Sequence, residues 1–375
     1  GMRIVKAYRQ EAPEIRHFAS ISSDYVRLNM GMARIQGLFF PAVHLLASGV
    51  NLIIIYWGGK AVIGDELSLG TIVAFLAYLQ MMFWPMFAMG WVVSLYQRGK
   101  ASMERINRIL ATEPNIRNLI ASPHSDRMIG RIEINDLRFA YEGKPVLDGI
   151  TLSIEPGQTV GLMGLTGAGK TTFLSLIARL YPLERGMITI DGVDLNDWDL
   201  GSLRQQIGFA TQEPFLFSQT IAENIHFGSS DTDQDQMATA AEAAALDKDV
   251  PSFPYGYDTM VGERGITLSG GQKQRTAIAR ALVIDPAILI LDDATSSVDT
   301  ETEHEIHSRV HRANADRTTL IVSHRVAAVS DADKILFLED GKIVEEGTHQ
   351  ELLDLGNRYS SLYRRQLLEQ EIESL

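Results

Sequence analysis

No cysteine occurs in the 375 residues, which excludes disulfide bridges and thiol chemistry and fits a reducing compartment. No signal peptide is expected before the first structured stretch, because Gly1-Met2-Arg3 runs directly into an amphipathic pattern. Internal repeats and low-complexity segments are also missing. Most telling is where charge is missing. Ile35–Trp57 and Thr71–Gln97 contain no Asp, Glu, Lys or Arg. Basic patches are scarce in the remainder: residues 1–110 hold 11 Lys/Arg against 6 Asp/Glu, which leaves 23 against 41 for residues 111–375. An acidic back half speaks against nucleic acid as a partner, since phosphate contacts need clustered Lys and Arg.

The length exceeds that of one ordinary domain, so two or more units are expected. Residues 2–34 read as a long polar helix, with Ile4, Tyr8, Ile15, Phe18 and Tyr25 among its apolar positions and a kink or helix start near Pro13. Each uncharged run is long enough to cross a hydrocarbon core of about 30 Å. Gly58-Gly59-Lys60 is expected to end the first span, with a turn running to Leu69-Gly70. Pro85 and Gly90 are tolerable in a membrane helix and awkward in a soluble one. Arg27, Arg34, Arg98, Lys100, Arg105 and Arg108 flank the outer ends, whereas the turn has Lys60 opposed by Asp65 and Glu66. The positive-inside bias therefore sets both ends of this hairpin in the cytoplasm. The expected organisation is a partial transmembrane domain over 1–112 (cytoplasmic helix 1–34, spans 35–57 and 71–97, connecting helix 98–112), a linker over 113–130, and an α/β domain over 131–375. In that domain Ile132-Glu133-Ile134 alternates like an edge strand, and Val160–Met163 and Ile288–Leu291 are apolar enough for buried parallel strands.

Gly164-Leu165-Thr166-Gly167-Ala168-Gly169-Lys170-Thr171 fits G-x-x-x-x-G-K-[ST] between an apolar strand and a helix beginning near Thr172. Such a loop curls backbone N–H groups around phosphate oxygens at a helix N-terminus. Lys170 is placed to reach the β- and γ-phosphates of ATP, and Thr171 to hold Mg²⁺. Ile288–Asp292 is a strand ending in a carboxylate, a second candidate Mg²⁺ ligand beside Thr171. Leu268-Ser269-Gly270-Gly271-Gln272 has small residues at a helix start, which serve equally as an ordinary Ser cap or as a phosphate-binding turn.

That pentapeptide resembles the signature sequence of the ATP-binding cassette (ABC) proteins, and the other markers of the family occur in order across Arg131–Tyr363. Tyr141 is similar to the aromatic that stacks on adenine. Gln212 resembles the glutamine that senses Mg²⁺, and Glu263 lies in a loop resembling the one before the signature in exporters. Asp299 resembles the residue through which the two ATP-binding domains communicate, and His324 the histidine that contacts the γ-phosphate. The resemblance implies that Leu268–Gln272 acts on ATP held by an opposite subunit, so a second half-transporter is the implied partner. Gly1–Tyr8 looks like the extension after the fourth membrane helix of exporter halves. Gln10–Phe18 is then the coupling helix, Gly1 is native, and the chain is the C-terminal part of a longer half. The implied fold is an α-helical transmembrane hairpin followed by an α/β P-loop NTPase domain in a bacterial inner or plasma membrane. The implied activity is ATP-driven export of a hydrophobic small molecule or lipid.

One position departs from the family. Where glutamate normally polarises the attacking water, this chain has Asp293. A carboxylate withdrawn by about 1 Å costs on the order of a hundredfold in rate, so the site on Lys170 is expected to bind ATP well and hydrolyse it slowly. The mixture resembles one member of a heterodimeric exporter with one impaired and one competent site. A homodimer that uses Asp293 as its base, a nucleotide-binding module that never turns over, and a P-loop ATPase unconnected with transport are the alternatives. The membrane hairpin argues against the last.

Overall fold

The computed structural model describes residues 1–118, 123–229, 233–262, 268–313 and 316–373. They divide into two units, Gly1–Glu113 and Pro114–Leu375.

The first unit is helical: α1 (Met2–Ala7), α2 (Glu11–Ile63) and α3 (Leu69–Leu110). At 1.5 Å per residue α2 and α3 are about 80 and about 63 Å long, so both run well past a bilayer core of about 30 Å. Their most apolar windows have mean hydropathies of 2.0 and 1.7 and bury nothing inside the protein. Leu45, Leu46 and Trp84 are each at least 70% exposed. Helices apolar on their outer faces need lipid or further helices around them.

Three local expectations change. Gly58-Gly59-Lys60 does not end the first helix, which continues to Ile63. A Cβ on Gly58 would lie 3.0 Å from the Ile72 side chain, so the glycine admits close approach of α3 rather than a turn. The turn is Gly64–Ser68, and Ser68 Oγ accepts the Thr71 N–H at 3.2 Å to cap α3. Gln10–Phe18 is not a separate helix but the first turns of α2. Pro13 sits in its opening turn, where N–H groups have no intrahelical partner. The detached short helix is α1, closed by Arg9 at φ +54°.

The second unit begins with β1 (Ile132–Tyr141), β2 (Lys144–Ile154), β3 (Thr159–Gly164), α4 (Lys170–Ile177), β4 (Ile188–Ile190), β5 (Val193–Asp194), α5 (Leu200–Gln205) and β6 (Ile207–Ala210). Helices α6 (Ile221–His226), α7 (Gln234–Ala243) and α8 (Gly270–Leu282) precede β7 (Ile288–Asp292). The remainder is α9 (Thr300–Ala313), β8 (Thr318–Val322), β9 (Lys334–Glu339), β10 (Lys342–Gly347), α10 (His349–Leu355) and α11 (Arg358–Glu373). One sheet has the order β2-β1-β4-β5 and is antiparallel; the other is β10-β9-β3-β8-β7-β6, parallel apart from β10. The expected edge strand is therefore internal, since β1 pairs with both β2 and β4. Its alternation reports one buried face, with Ile132 and Ile134 inside, and carries no information on how many strands flank it.

One hydrophobic cluster lies between the two sheets around Phe173, Leu162 and Trp198. The other joins the parallel sheet to α6–α11 around Ile278, Leu289 and Tyr359. The expected linker is stitched onto this unit. Arg179 Nη2 donates to Arg117 O, Asn118 Nδ2 donates to Asp199, and the His124 ring stands edge-on to Trp198 at 4.3 Å. The Asp191 carboxylate accepts the N–H groups of Ile129, Gly130 and Arg131.

Candidate functional site

Strands β3, β8 and β7 lie side by side in parallel, with Leu162 opposite Val322 and Asp292 opposite Val322. Their C-terminal ends therefore open on one rim, the place where open α/β sheets bind ligands. Gly164–Thr171 leaves β3 there and enters α4 through Gly169 at φ +101°. A Cβ at Gly169 would meet Leu147 Cδ2 at 2.7 Å, so glycine is required by space as well as by conformation. The positive-φ Gly167 faces open space.

The N-terminus of α4 differs from those of its neighbours. Helices α6, α7, α8 and α10 each carry a reciprocal capping box, whereas α4 has no side-chain cap and no acid in its first turn. Its leading N–H groups are thus left for an outside anion. Lys170 is 6% exposed, and its Nζ donates to Gly164 O at 2.8 Å and Leu165 O at 3.0 Å. Burial pulls its pKa down, opposed by the charges of Asp293 and Asp292. A buried ammonium resting on two loop carbonyls, beside uncapped amides, fits a polyphosphate.

Opposite it stand the carboxylates. Asp292, 2% exposed, accepts the Thr171 hydroxyl at 3.2 Å. Burial raises its pKa above the usual carboxylate range, with the Thr171 hydrogen bond pulling the other way. Asp293 has φ +48°, a left-handed backbone that aspartate tolerates, and its N–H donates to Val322 O at 2.9 Å. Its carboxylate accepts Gln212 Nε2 at 3.2 Å. Burial raises its pKa too, opposed by His324 and the Gln212 bond. Two buried carboxylates with neutral partners suit a divalent cation, and Asp292 with Thr171 would hold Mg²⁺, with Gln212 nearby. His324 follows β8 and is exposed. Tyr141 ends β1, and its hydroxyl lies 3.3 Å from Thr172 Oγ1, which places its half-exposed ring beside the start of α4. Tyr181, which sequence reasoning overlooked, packs edge-on to Tyr141 at 5.2 Å.

Leu268–Gln272 lies elsewhere. Ser269 caps α8 in a reciprocal box with Gln272, whose amide also reaches Asp249 at 3.3 Å. Among the described residues no hydrogen bond joins Leu268–Gln272 to Gly164–Thr172. The loop is tied instead to residues 296–299. Gln274 Nε2 donates to Ser296 Oγ, and Gln274 Oε1 accepts the Ser297 N–H, both at 2.8 Å. A Cβ on Gly270 would stand 3.1 Å from that of Ser297. Asp299 caps α9 by accepting the Thr302 N–H at 2.9 Å. Glu263 falls outside the described residues.

Comparison with known proteins shows the family. Residues 147–296 match the family model described as ABC transporter, and residues 1–86 match the ABC transporter transmembrane region. The chain belongs to the ABC transporters. It is 42% identical to a probable multidrug resistance ABC transporter ATP-binding/permease protein of Bacillus subtilis, over 98% of this chain and 63% of the relative. It is 39% identical to an ATP-dependent lipid A-core flippase of Syntrophus aciditrophicus, over 99% of this chain and 62% of the relative. The structure of a bacterial Atm1-family ABC exporter with ATP bound matches 97% of this chain and 65% of its own, with a TM-score of 0.85 and 32% identity. The fold is therefore that of ABC exporters, a helical transmembrane region followed by an α/β nucleotide-binding domain, and the chain spans less than two thirds of the length of these relatives.

Proposed function

We propose that this ABC transporter chain works in ATP-driven export of a hydrophobic or amphiphilic compound, as one half of a dimer. The observation that carries the reading is the shared rim at the ends of β3, β7 and β8. It gathers an uncapped helix N-terminus, buried Lys170, the Thr171–Asp292 pair and Gln212 bonded to Asp293. ATP is the substrate, its phosphates lying on the Gly164–Thr172 loop and its adenine on Tyr141. Mg²⁺ on Asp292 and Thr171 supplies charge neutralisation at the phosphates. Asp293 and His324 are the groups that face the attacking water and the γ-phosphate. Leu268–Gln272 completes the ATP site of the other half, which fits its separation from this chain's own loop. The names of the relatives, multidrug resistance and lipid A-core flippase, favour an amphiphilic cargo.

Asp293 shapes the finer reading. Its carboxylate is short, buried and engaged by Gln212, which leaves it poorly extended toward a water on the phosphate side. This half is therefore the impaired one of a heterodimer, and its signature loop serves a partner that carries glutamate. The test is ATP turnover by the full-length protein in lipid, alone and with candidate partner halves. Silence alone and turnover with a partner, lost when the partner's glutamate is replaced, supports the heterodimer. Brisk turnover alone, lost in Asp293→Asn, overturns it in favour of a homodimer. On the heterodimer reading Asp293→Glu raises turnover of the isolated half, on the order of a hundredfold if reach is the whole defect.

A further inference from the structure

The C-terminal helix α11 is hydrogen-bonded to the His324 segment through Gln366. Gln366 Nε2 donates to His324 O at 2.6 Å, and Gln366 Oε1 accepts the Val326 N–H at 2.9 Å. A primary amide is the side-chain group that donates and accepts in one plane, so it clamps a carbonyl and an N–H two residues apart. Among the described residues no hydrogen bond fixes the His324 ring itself. The backbone therefore sets the Cα–Cβ bond from which that ring reaches out. One bond within the segment and two from the Arg325 side chain also hold it. Ser323 Oγ accepts the Arg325 N–H at 2.9 Å, and Arg325 Nη1 reaches Val298 O at 2.8 Å and Glu303 at 3.1 Å. Glu303 is 2% exposed and also accepts the Thr295 hydroxyl. The His324 segment thus lies between the 295–303 region on one side and α11 on the other.

Helix α11 is itself firmly seated. Tyr359 is fully buried, and its hydroxyl meets His349 Nδ1 at 2.6 Å. The Glu345 carboxylate, 8% exposed, accepts the N–H groups of both Arg358 and Tyr359. A helix anchored at its start and presenting one amide two turns later is a rigid bracket rather than a trailing end.

We propose that Gln366 is a positioning residue for ATP hydrolysis, acting through the main chain of His324. The inference rests on the reading above in which His324 faces the γ-phosphate. Its function is to hold the histidine's backbone in register with the rim, so that the ring meets phosphate without having to be ordered on each cycle. ATP affinity is set by the Lys170 loop and Tyr141, which Gln366 does not touch, so the effect falls on kcat and spares KM.

The test uses the full-length protein in lipid carrying Asp293→Glu and without a partner half, so that turnover is read at the site built on this chain's own Lys170 and His324. Gln366→Met keeps the length and packing of the side chain and removes both hydrogen bonds. Arg365→Ala, one position away and exposed, is the control, and His324→Ala is measured beside them. Hydrogen–deuterium exchange without nucleotide is read on the peptide spanning residues 322–328. Exchange there is expected to rise in Gln366→Met, with the melting temperature and the remaining peptides unchanged. Loss of the two bonds is expected to lower kcat about five- to tenfold and to leave KM for ATP within about twofold. Unchanged exchange, or unchanged kcat while His324→Ala is impaired, overturns the positioning role. A lowered melting temperature with a proportionate loss of folded protein also overturns it, since Gln366 is then only a packing residue. If His324→Ala turns over ATP like the parent, the assignment of His324 fails and this inference falls with it.

Discussion

At the scale of single residues the site is a problem of buried charge. Lys170, Asp292 and Asp293 are each at most 6% exposed, and burial acts against the charged form of all three. Attraction between them offsets part of that cost, and a bound polyphosphate with its cation offsets more. Lys170→Met removes the ammonium and leaves two loop carbonyls without their donor. In the Asp293→Glu background, where this site is expected to turn over, turnover is expected to fall on the order of a hundredfold or more, with weakened nucleotide binding by calorimetry. Retention of parental binding and turnover would remove Lys170 from the site. Lys170 was legible in the sequence because a phosphate loop is a local device, its glycines, lysine and threonine all within eight positions, whereas Asp292 and Asp293 were read from the end of an apolar strand and the family resemblance. Gln366, Tyr181, Glu303 and Arg325 were not, because each has a partner more than twenty positions away and carries no motif of its own.

Among the elements, α8 does the most. Its first turn carries Ser269–Gln272, Gln274 binds Ser296 and Ser297, and Arg280 donates to Phe215 O, Asn224 O and Asn224 Oδ1. Burial pushes the Arg280 guanidinium down to about 10, and it lies near the rings of Phe217 and Phe227. One helix thus joins the signature turn, the loop leading to Asp299 and the segment that follows Gln212. Gln274→Ala is expected to cost about 1–2 kcal/mol in thermal stability of the α/β unit, because it leaves the Ser297 N–H without its acceptor. It should slow turnover more than it weakens ATP binding, which kcat and KM measured together will separate. A cap lost in Ser269→Ala costs about 1 kcal/mol. If Gln274→Ala melts like the parent and turns over normally, α8 is not the link described here. The sequence marked the start of α8 and missed its far end, since Arg280 reads there as an ordinary basic residue in a last turn. The same limit applies to β1 and to Gly58, where pattern gave the face or the flexibility and only the neighbouring strand or helix gave its use.

At the scale of the molecule, the two units ask for different surroundings. Gly1–Glu113 exposes apolar side chains along both long helices, while Pro114–Leu375 encloses two hydrophobic clusters and carries the excess of acidic residues. Residues 114–375 alone are therefore expected to be soluble and to melt in one cooperative transition that Mg²⁺ and ATP shift upward. The segment from Arg117 to Arg131 belongs in that fragment. Trp198→Ala, which removes the buried ring that His124 meets edge-on, should destabilise it by about 3–5 kcal/mol. The fragment also tests whether the site is shared between chains. Among the described residues no hydrogen bond joins Leu268–Gln272 to the Lys170 loop, so an isolated copy should bind ATP without splitting it. In an Asp293→Glu fragment, which removes the short carboxylate from consideration, turnover per molecule should climb with protein concentration as pairs form. Turnover independent of concentration, by a species that stays monomeric in light scattering, would mean that one chain holds a complete site and that the signature turn acts in cis.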